Sequence, residues 1–212
     1  MKTVEEAVSV RNWVLERIEV ASVLDDPDAR RRALTVVVVG GGFAGVETIS
    51  ELEDMAREAV NRNDRLSVSD LRFVMIEAAP RIMPEVPEDR AEKVVAELRA
   101  RGIEVLLNTS LSDATDGHLQ LINMTDKSPA GEMDTDTLIW TAGVAASPML
   151  KNTDFPIDER GRVRVNADLR VAGDNGVVEG AWAAGDNAAV PDLSGGGVGG
   201  FCVPNAQHAS RQ

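Results

Sequence analysis

Cysteine is nearly missing from this chain. Cys202 stands alone among 212 residues, so neither an intramolecular disulfide nor a Cys-x-x-Cys pair can form within it. Chemistry carried by these residues therefore does not run through a local dithiol. Tyrosine is absent, aromatic residues make up 3% of the chain and histidine occurs twice; no metal site is assigned. No apolar run approaches the roughly 20 residues that cross a bilayer, and the longest, Leu34 to Val39, is strand-sized. Positive charge is scarce. Lys and Arg total 22 against 35 Asp and Glu, a net charge of −13, which argues against a nucleic-acid partner because phosphate binding needs basic patches. Two readings of the acidity stay open: a surface adapted to high salt, where self-repulsion is screened, or an ordinary acidic surface. The N-terminus, Met1-Lys2-Thr3-Val4-Glu5-Glu6, is charged and amphipathic rather than a signal peptide.

What is present suffices for a core, with 43% hydrophobic residues. Val8, Val10, Val14, Leu15, Ile18 and Ala21 recur at near-helical spacing and predict a helix over about 4–23. Asp25-Asp26-Pro27-Asp28 breaks it, and Pro27 starts a short second helix through Arg30-Arg31-Arg32, an arginine run read as a solvated helix end. A strand at Thr35–Val39 precedes a helix over about 44–61 with a stripe of Val46, Ile49, Leu52, Met55, Ala56 and Ala59. A polar loop over 61–70 leads to a strand at 72–77. Pro80, Pro84 and Pro87 enforce an extended connection, and a helix over about 88–101 ends at Gly102. Strands follow at 103–107 and 137–141, separated by a weakly alternating insert with a hairpin turn at Asp116-Gly117. Trp140 and Trp182 read as core. Residues 144–180 are turn-rich, 180–184 form a short strand, and a helix begins at about 204. The order predicts an α/β, Rossmann-like doubly wound unit with a largely parallel sheet.

One phrase carries chemistry: Val36-Val37-Val38-Val39-Gly40-Gly41-Gly42-Phe43-Ala44-Gly45. Gly40, Gly42 and Gly45 have the G-x-G-x-x-G spacing of a dinucleotide site, between a strand and a helix, with Phe43 and Ala44 inside it. Gly40 permits the tight turn. Gly42 lets the backbone approach a pyrophosphate, and Gly45 lets the helix pack close to the strand. The helix N-terminus then offers N–H groups to the phosphates. The second strand ends in Glu77, 32 residues after Gly45, an excess over the usual ~20 that the long helix and the 61–70 loop account for. An acid at this position hydrogen-bonds a ribose 2′-OH and repels a 2′-phosphate, which favours NADH over NADPH; Arg81, four residues on, would soften that preference.

Three further phrases join it: Thr141-Ala142-Gly143, Ala181-Trp182-Ala183-Ala184-Gly185-Asp186-Asn187-Ala188, and Pro204-Asn205-Ala206-Gln207-His208-Ala209-Ser210-Arg211-Gln212. Together with Gly45-Val46-Glu47 and Glu77-Ala78-Ala79-Pro80-Arg81, they resemble the type II NADH:quinone dehydrogenases among the flavoproteins with two dinucleotide-binding domains. The resemblance covers essentially the whole chain, and the Ala-Gln-x-Ala-x-x-Gln tail is its most specific part. It implies connecting helices of the flavin domain at 1–33, an NAD(H)-binding Rossmann domain at 34–147 and an incomplete second portion of the FAD-binding domain at 148–212. Only one glycine-rich turn is present, and in context it is the second of the family's pair, so the chain reads as an internal fragment.

The resemblance also implies a reaction: a hydride passes from NADH to FAD, and two electrons go on to a quinone. Gly40, Gly42 and Gly45 would hold the pyrophosphate and Glu77 the ribose. Glu47, placed in the first helical turn, would orient nicotinamide or quinone or relay a proton; the alternative is a carboxylate that complements the helix dipole. Thr141, Ala142 and Gly143 would form the loop between nicotinamide and flavin. Gly185 and Asp186 would meet the flavin ribityl or phosphate, and Ala206 and Gln207 would lie near the isoalloxazine and the quinone. FAD belongs to the intact protein only, and the fragment is expected to bind NADH weakly and not retain FAD. The protein would be cytoplasmic, the intact enzyme peripheral on the cytoplasmic face of the membrane. An exposed sheet edge in 148–212 would invite a homodimer. His118 reads as surface, His208 as solvated or packed, and Cys202 is given no role. Other readings are a ferredoxin reductase, a sulfide:quinone oxidoreductase (although sulfide oxidation needs more cysteines) or a non-catalytic NADH-sensing module.

Overall fold

The computed structural model describes residues 3–143 and 145–191. The chain divides into two compact units, Met1–Ala142 and Gly143–Gln212. The first opens with α1 (Val4–Val23), whose N-terminus is capped by the Thr3 hydroxyl accepting the Glu6 N–H. It continues into α2 (Pro27–Ala33), capped by Asp26 with Pro27 in its first turn. Then come β1 (Thr35–Val39), α3 (Phe43–Val60), β2 (Arg72–Ile76), α4 (Glu88–Ala100) and β3 (Glu104–Leu106). The Gly102 N–H reaches the Arg99 carbonyl and the Ile103 N–H reaches that of Leu98, closing α4 in a Schellman motif with Gly102 at φ +86°. An antiparallel meander, β4 (Thr109–Thr115), β5 (His118–Asn123) and β6 (Pro129–Asp134), precedes β7 (Thr137–Trp140).

Strand order in the main sheet is β3-β2-β1-β7, every pair parallel. The valine run of β1 does not alternate because it is central and buried on both faces. Val36 and Val38 meet Phe73, Met75 and Ile139 beneath the helices, which contribute Val14, Ile18, Ile49, Leu52 and Ala56. Val37, Val39, Val74 and Ile76 point the other way, onto Leu119, Leu121 and Met133 of the meander. The sheet is therefore a filling between a helical layer and a small β layer, and its C-terminal edge is free to carry loops.

The insert contains three strands rather than a simple hairpin. The turn Asp116-Gly117 forms as expected, with positive φ at both residues, as a type I′ hairpin requires. The added edge strand β6 begins Pro129-Ala130-Gly131, residues that advertise a turn. Buried on α3 is one unforeseen charge, Glu53, at 4% exposure. It is paired with Arg57 and, at 3.0 Å, with Arg101 Nε, and that bond raises the affinity of the Arg101 guanidinium for its proton.

The second unit contains β8 (Val163–Arg164), β9 (Arg170–Gly173), β10 (Gly176–Trp182) and β11 (Ala188–Ala189). β9 and β10 pair antiparallel, and β8 and β11 pair parallel. Leu150, Val163, Val165, Leu169, Val171 and Ala188 form its core.

Candidate functional site

The glycine turn continues the sheet before leaving it. The Gly40 N–H still donates to the Ile76 carbonyl at 2.8 Å, so β1 and β2 stay in register to the mouth of the turn. Gly40 then takes φ +111°, a conformation open to glycine. A Cβ at Gly40 would stand 2.7 Å from the Ala142 nitrogen and 2.8 Å from Thr141 Oγ1. One at Gly45 would stand 1.8 Å from the Gly40 carbonyl oxygen, so the first turn of α3 lies directly on the loop that precedes it. Gly42 differs from both: a Cβ there would meet nothing within 4 Å. Its missing side chain makes no room for protein and leaves open space at the head of α3. Gly42 is also the helix N-cap, with no side chain capping the N–H groups that follow it. An uncapped helix N-terminus fronting open space is the geometry that receives a phosphate anion.

Glu77 closes the turn from the side. Its Oε2 accepts the Gly41 N–H at 2.6 Å and its Oε1 accepts the Ala79 N–H at 2.7 Å. Each oxygen keeps further lone-pair capacity for a vicinal diol. Arg81, expected to soften the preference for NADH, turns to its own connection: Nη1 donates to the Val86 carbonyl at 3.0 Å and Nη2 to that of Pro84 at 2.6 Å. Two of the five guanidinium N–H donors are held by the proline-rich connection in this way.

The connection has a second function that spacing did not reveal. A Cβ on Gly41 would strike Ile82 Cγ2 at 2.6 Å, and the Met83 N–H donates to the Gly41 carbonyl at 2.8 Å. Ile82 and Met83 are buried beneath the turn. In a G-x-G-x-x-G pattern Gly41 is a free position; the burial of Ile82, unreadable from the pattern, makes it a constrained one.

Thr141 and Ala142 stand beside Gly40. The Thr141 N–H and hydroxyl both reach the Val39 carbonyl, at 2.8 and 2.9 Å. Gly143, at φ +84°, opens the second unit. In that unit Gly185 (φ +67°) and Asp186 lie in a 3-10 turn, Gly185–Asn187, directly before β11. Ala206, Gln207, His208 and Cys202 lie outside the described residues, as does the predicted helix from about 204.

Several expectations need correcting. Glu47 is not in the first helical turn: α3 begins at Phe43, so Glu47 is its fifth residue, exposed at the start of the second turn. Helix-dipole complementation fades over that distance. Phe43 and Ala44 are exposed at the helix head. Trp140 is 57% exposed and Trp182 61%. Both lie on edge strands. Trp140 pairs with Val39 on the edge strand β7, and its indole N–H turns to the Ala142 carbonyl at 2.9 Å. The arginine run is only partly a solvated end. Arg31 is, with an exposed partner in Asp28, but Arg30 donates to the Leu24 carbonyl and Arg32 binds Asp136 and the Asp116 carbonyl. His118 is a surface residue, as read, with Nδ1 2.8 Å from Asp134 Oδ1; that hydrogen bond chiefly raises its pKa. Among the described residues there is no metal-binding cluster and no helix long and apolar enough to cross a membrane.

Residues 12–212 match the family described as pyridine nucleotide-disulphide oxidoreductase. The chain is 33% identical over 203 residues to the type II NADH:quinone oxidoreductase NdhA of Mycobacterium tuberculosis, covering 92% of this chain and 42% of that protein. It is 30% identical over 173 residues to a probable NADH dehydrogenase of Dictyostelium discoideum, covering 81% and 37%. The structure of NDH2 from Plasmodium falciparum in complex with NADH shares the fold, with a TM-score of 0.75 at 21% identity over 89% of this chain and 39% of that one. The chain thus spans about two fifths of the length of the relatives it matches.

Proposed function

The chain belongs to the pyridine nucleotide-disulphide oxidoreductase family, and on that premise we propose that it forms the NADH-binding core of a flavin-dependent NADH:quinone dehydrogenase. The observation that carries this reading is the cradle itself: open space at Gly42, an uncapped α3 N-terminus and the Glu77 carboxylate on one turn. These residues fit a dinucleotide. The pyrophosphate lies over Gly42 and the N–H groups of Phe43, Ala44 and Gly45; the ribose diol lies against Glu77. The Glu77 carboxylate repels a 2′-phosphate and two of the Arg81 donors are held by its own connection, which supports a preference for NADH over NADPH.

The names of the similar proteins, an NADH dehydrogenase and an NADH:quinone oxidoreductase, support the passage of electrons from NADH to a quinone, and the family resemblance routes them through FAD. Bound FAD would supply the hydride acceptor and the two-electron relay. By the resemblance, Thr141, Ala142 and Gly143 would form the loop between nicotinamide and flavin, Gly185 and Asp186 would meet the flavin ribityl or phosphate, and Ala206 and Gln207, outside the described residues, would serve the isoalloxazine and the quinone. Glu47 is exposed where it can orient nicotinamide or quinone. The intact protein sits peripherally on the cytoplasmic face of the membrane, in the respiratory chain. Pairing of two copies across the second unit's strand edges is read out by light scattering.

Calorimetric titration with NADH, NADPH and FAD in parallel tests the proposal. NADH binding at least about tenfold tighter than NADPH, a difference of ~1.4 kcal/mol, with no FAD binding to this chain, is the expected result. Tight FAD binding without NADH binding would mean that the glycine turn serves the flavin and that the domain assignment is wrong.

A further inference from the structure

The notch left by two of the three fingerprint glycines is filled by one side chain. A Cβ on Gly40 would lie 2.8 Å from Thr141 Oγ1, and a Cβ on Gly45 would lie 2.9 Å from the same atom. The hydroxyl is 2.9 Å from the Val39 carbonyl oxygen and 3.2 Å from that of Gly40, donating to the first and in reach of the second. These are the last carbonyl of β1 and the first of the turn. The Gly40 carbonyl is also the atom on which α3 rests, since it is the one a Gly45 Cβ would strike at 1.8 Å. The strand end, the turn and the helix start therefore converge on a single hydroxyl, contributed from a residue about a hundred positions away in sequence, at the end of β7.

We propose that Thr141 is a positioning residue of the dinucleotide site: its hydroxyl holds the Gly40 peptide so that Gly42 and the first N–H groups of α3 face the pyrophosphate. The inference rests on the nucleotide reading given above and goes beyond it. Thr141 acts through the turn and not by touching NADH. A residue without a hydroxyl at position 141, just after β7, keeps the backbone N–H bond to Val39 but loses the side-chain contacts to the Val39 and Gly40 carbonyls, leaving the Gly40 carbonyl unbraced against the helix. The peptide can then rotate, and a site that must be reorganised binds less tightly than one already formed.

The comparison is Thr141→Val, which keeps the shape and removes the hydroxyl, against Thr141→Ser, which keeps the hydroxyl and removes a methyl. Two readouts are taken on the full chain. In the first, amide hydrogen exchange over Gly41–Val46 without nucleotide is faster in Thr141→Val, while the β2 and β3 amides are unchanged; Thr141→Ser matches the wild type. In the second, NADH affinity falls about tenfold in Thr141→Val, the loss of one net hydrogen bond, and is recovered to within about threefold in Thr141→Ser. If Thr141→Val does not fold, Thr141→Ala against Thr141→Ser carries the same contrast. Equal exchange and equal affinity in the valine and serine variants would overturn the proposal. Exchange that follows the hydroxyl in a wild-type chain that binds no NADH would sink the nucleotide reading and leave the turn brace standing. NADH binding by the wild type with no effect of the hydroxyl on either readout would sink the brace alone.

Discussion

Replacing Glu77 with glutamine changes one atom and should disturb both the turn and the choice of nucleotide. The carboxylate accepts two backbone N–H groups, one on each oxygen, from Gly41 at 2.6 Å and Ala79 at 2.7 Å. A carboxamide has one acceptor oxygen and places an NH2 donor against the other N–H. One of the two bonds must be lost, and the survivor loses its charge. Hydrogen bonds to charged groups contribute about 1.5–3 kcal/mol each. Glu77 is half-buried, so the net cost belongs near the lower end, about 1.5–2 kcal/mol. For a unit of this size, each kcal/mol lowers the melting temperature by about 2–4 °C, so Glu77→Gln should melt roughly 3–8 °C below the wild type. Thermal unfolding followed by circular dichroism measures this. Nucleotide titration of the same samples reads selectivity: NADH weakens while NADPH is unchanged or tighter, because the group that repelled its 2′-phosphate is neutral. A variant with wild-type melting and an unchanged NADH-to-NADPH ratio would refute the reasoning at both levels.

Three further outcomes follow from the same geometry. Gly45→Ala drives a methyl into the Gly40 carbonyl and should cost about 3 kcal/mol or more by overpacking against a rigid backbone, measured by urea denaturation. Glu53→Ala removes the buried carboxylate shared by Arg57 and Arg101; both guanidiniums are partly exposed and Arg101 keeps Asp54 and the Ser50 carbonyl, so the cost should be about 1–3 kcal/mol in the same assay, with NADH affinity unchanged once the chain is folded. The raised pKa of His118 means that the folded state holds its proton more tightly than the unfolded chain does. The resulting stabilisation is fully present below the unfolded value near 6.5 and is lost as pH rises through the higher folded value. The melting-temperature gap between wild type and His118→Gln should therefore be largest in acid and close at alkaline pH; a gap that widened upward would reverse the sign of the argument.

Much of this arrangement is legible in the residues, for reasons that differ by element. The valine run of β1, the stripe of α3 and Gly102 after α4 announce themselves because each is a local consequence of periodicity or backbone freedom. The glycine turn is legible because a tight turn and a close helix approach demand glycine at fixed spacing, and Glu77 because it ends the strand beside that turn. Long-range facts are not. Nothing in the sequence reveals that β7 is an edge strand, so Trp140 reads as core although it is exposed. Nothing near Arg81 reveals that the Pro84 and Val86 carbonyls hold two of its donors. Glu53 sits within a polar stretch of α3, and its burial depends on Arg101, 48 residues away. The Thr141 hydroxyl belongs to the same class: its target is set by strand order, not by spacing.

The central claim is that the open space at Gly42 is the pyrophosphate site, and Gly42→Ala tests it most directly. The added methyl meets no protein atom within 4 Å, and Gly42 has an ordinary negative φ of −73°, so the fold should melt within about 2 °C of the wild type. If the space belongs to the pyrophosphate, the methyl stands where the phosphate must come, and calorimetric titration should show NADH binding weakened at least about tenfold. Unchanged NADH affinity in a variant of unchanged stability would contradict the account and place the dinucleotide elsewhere.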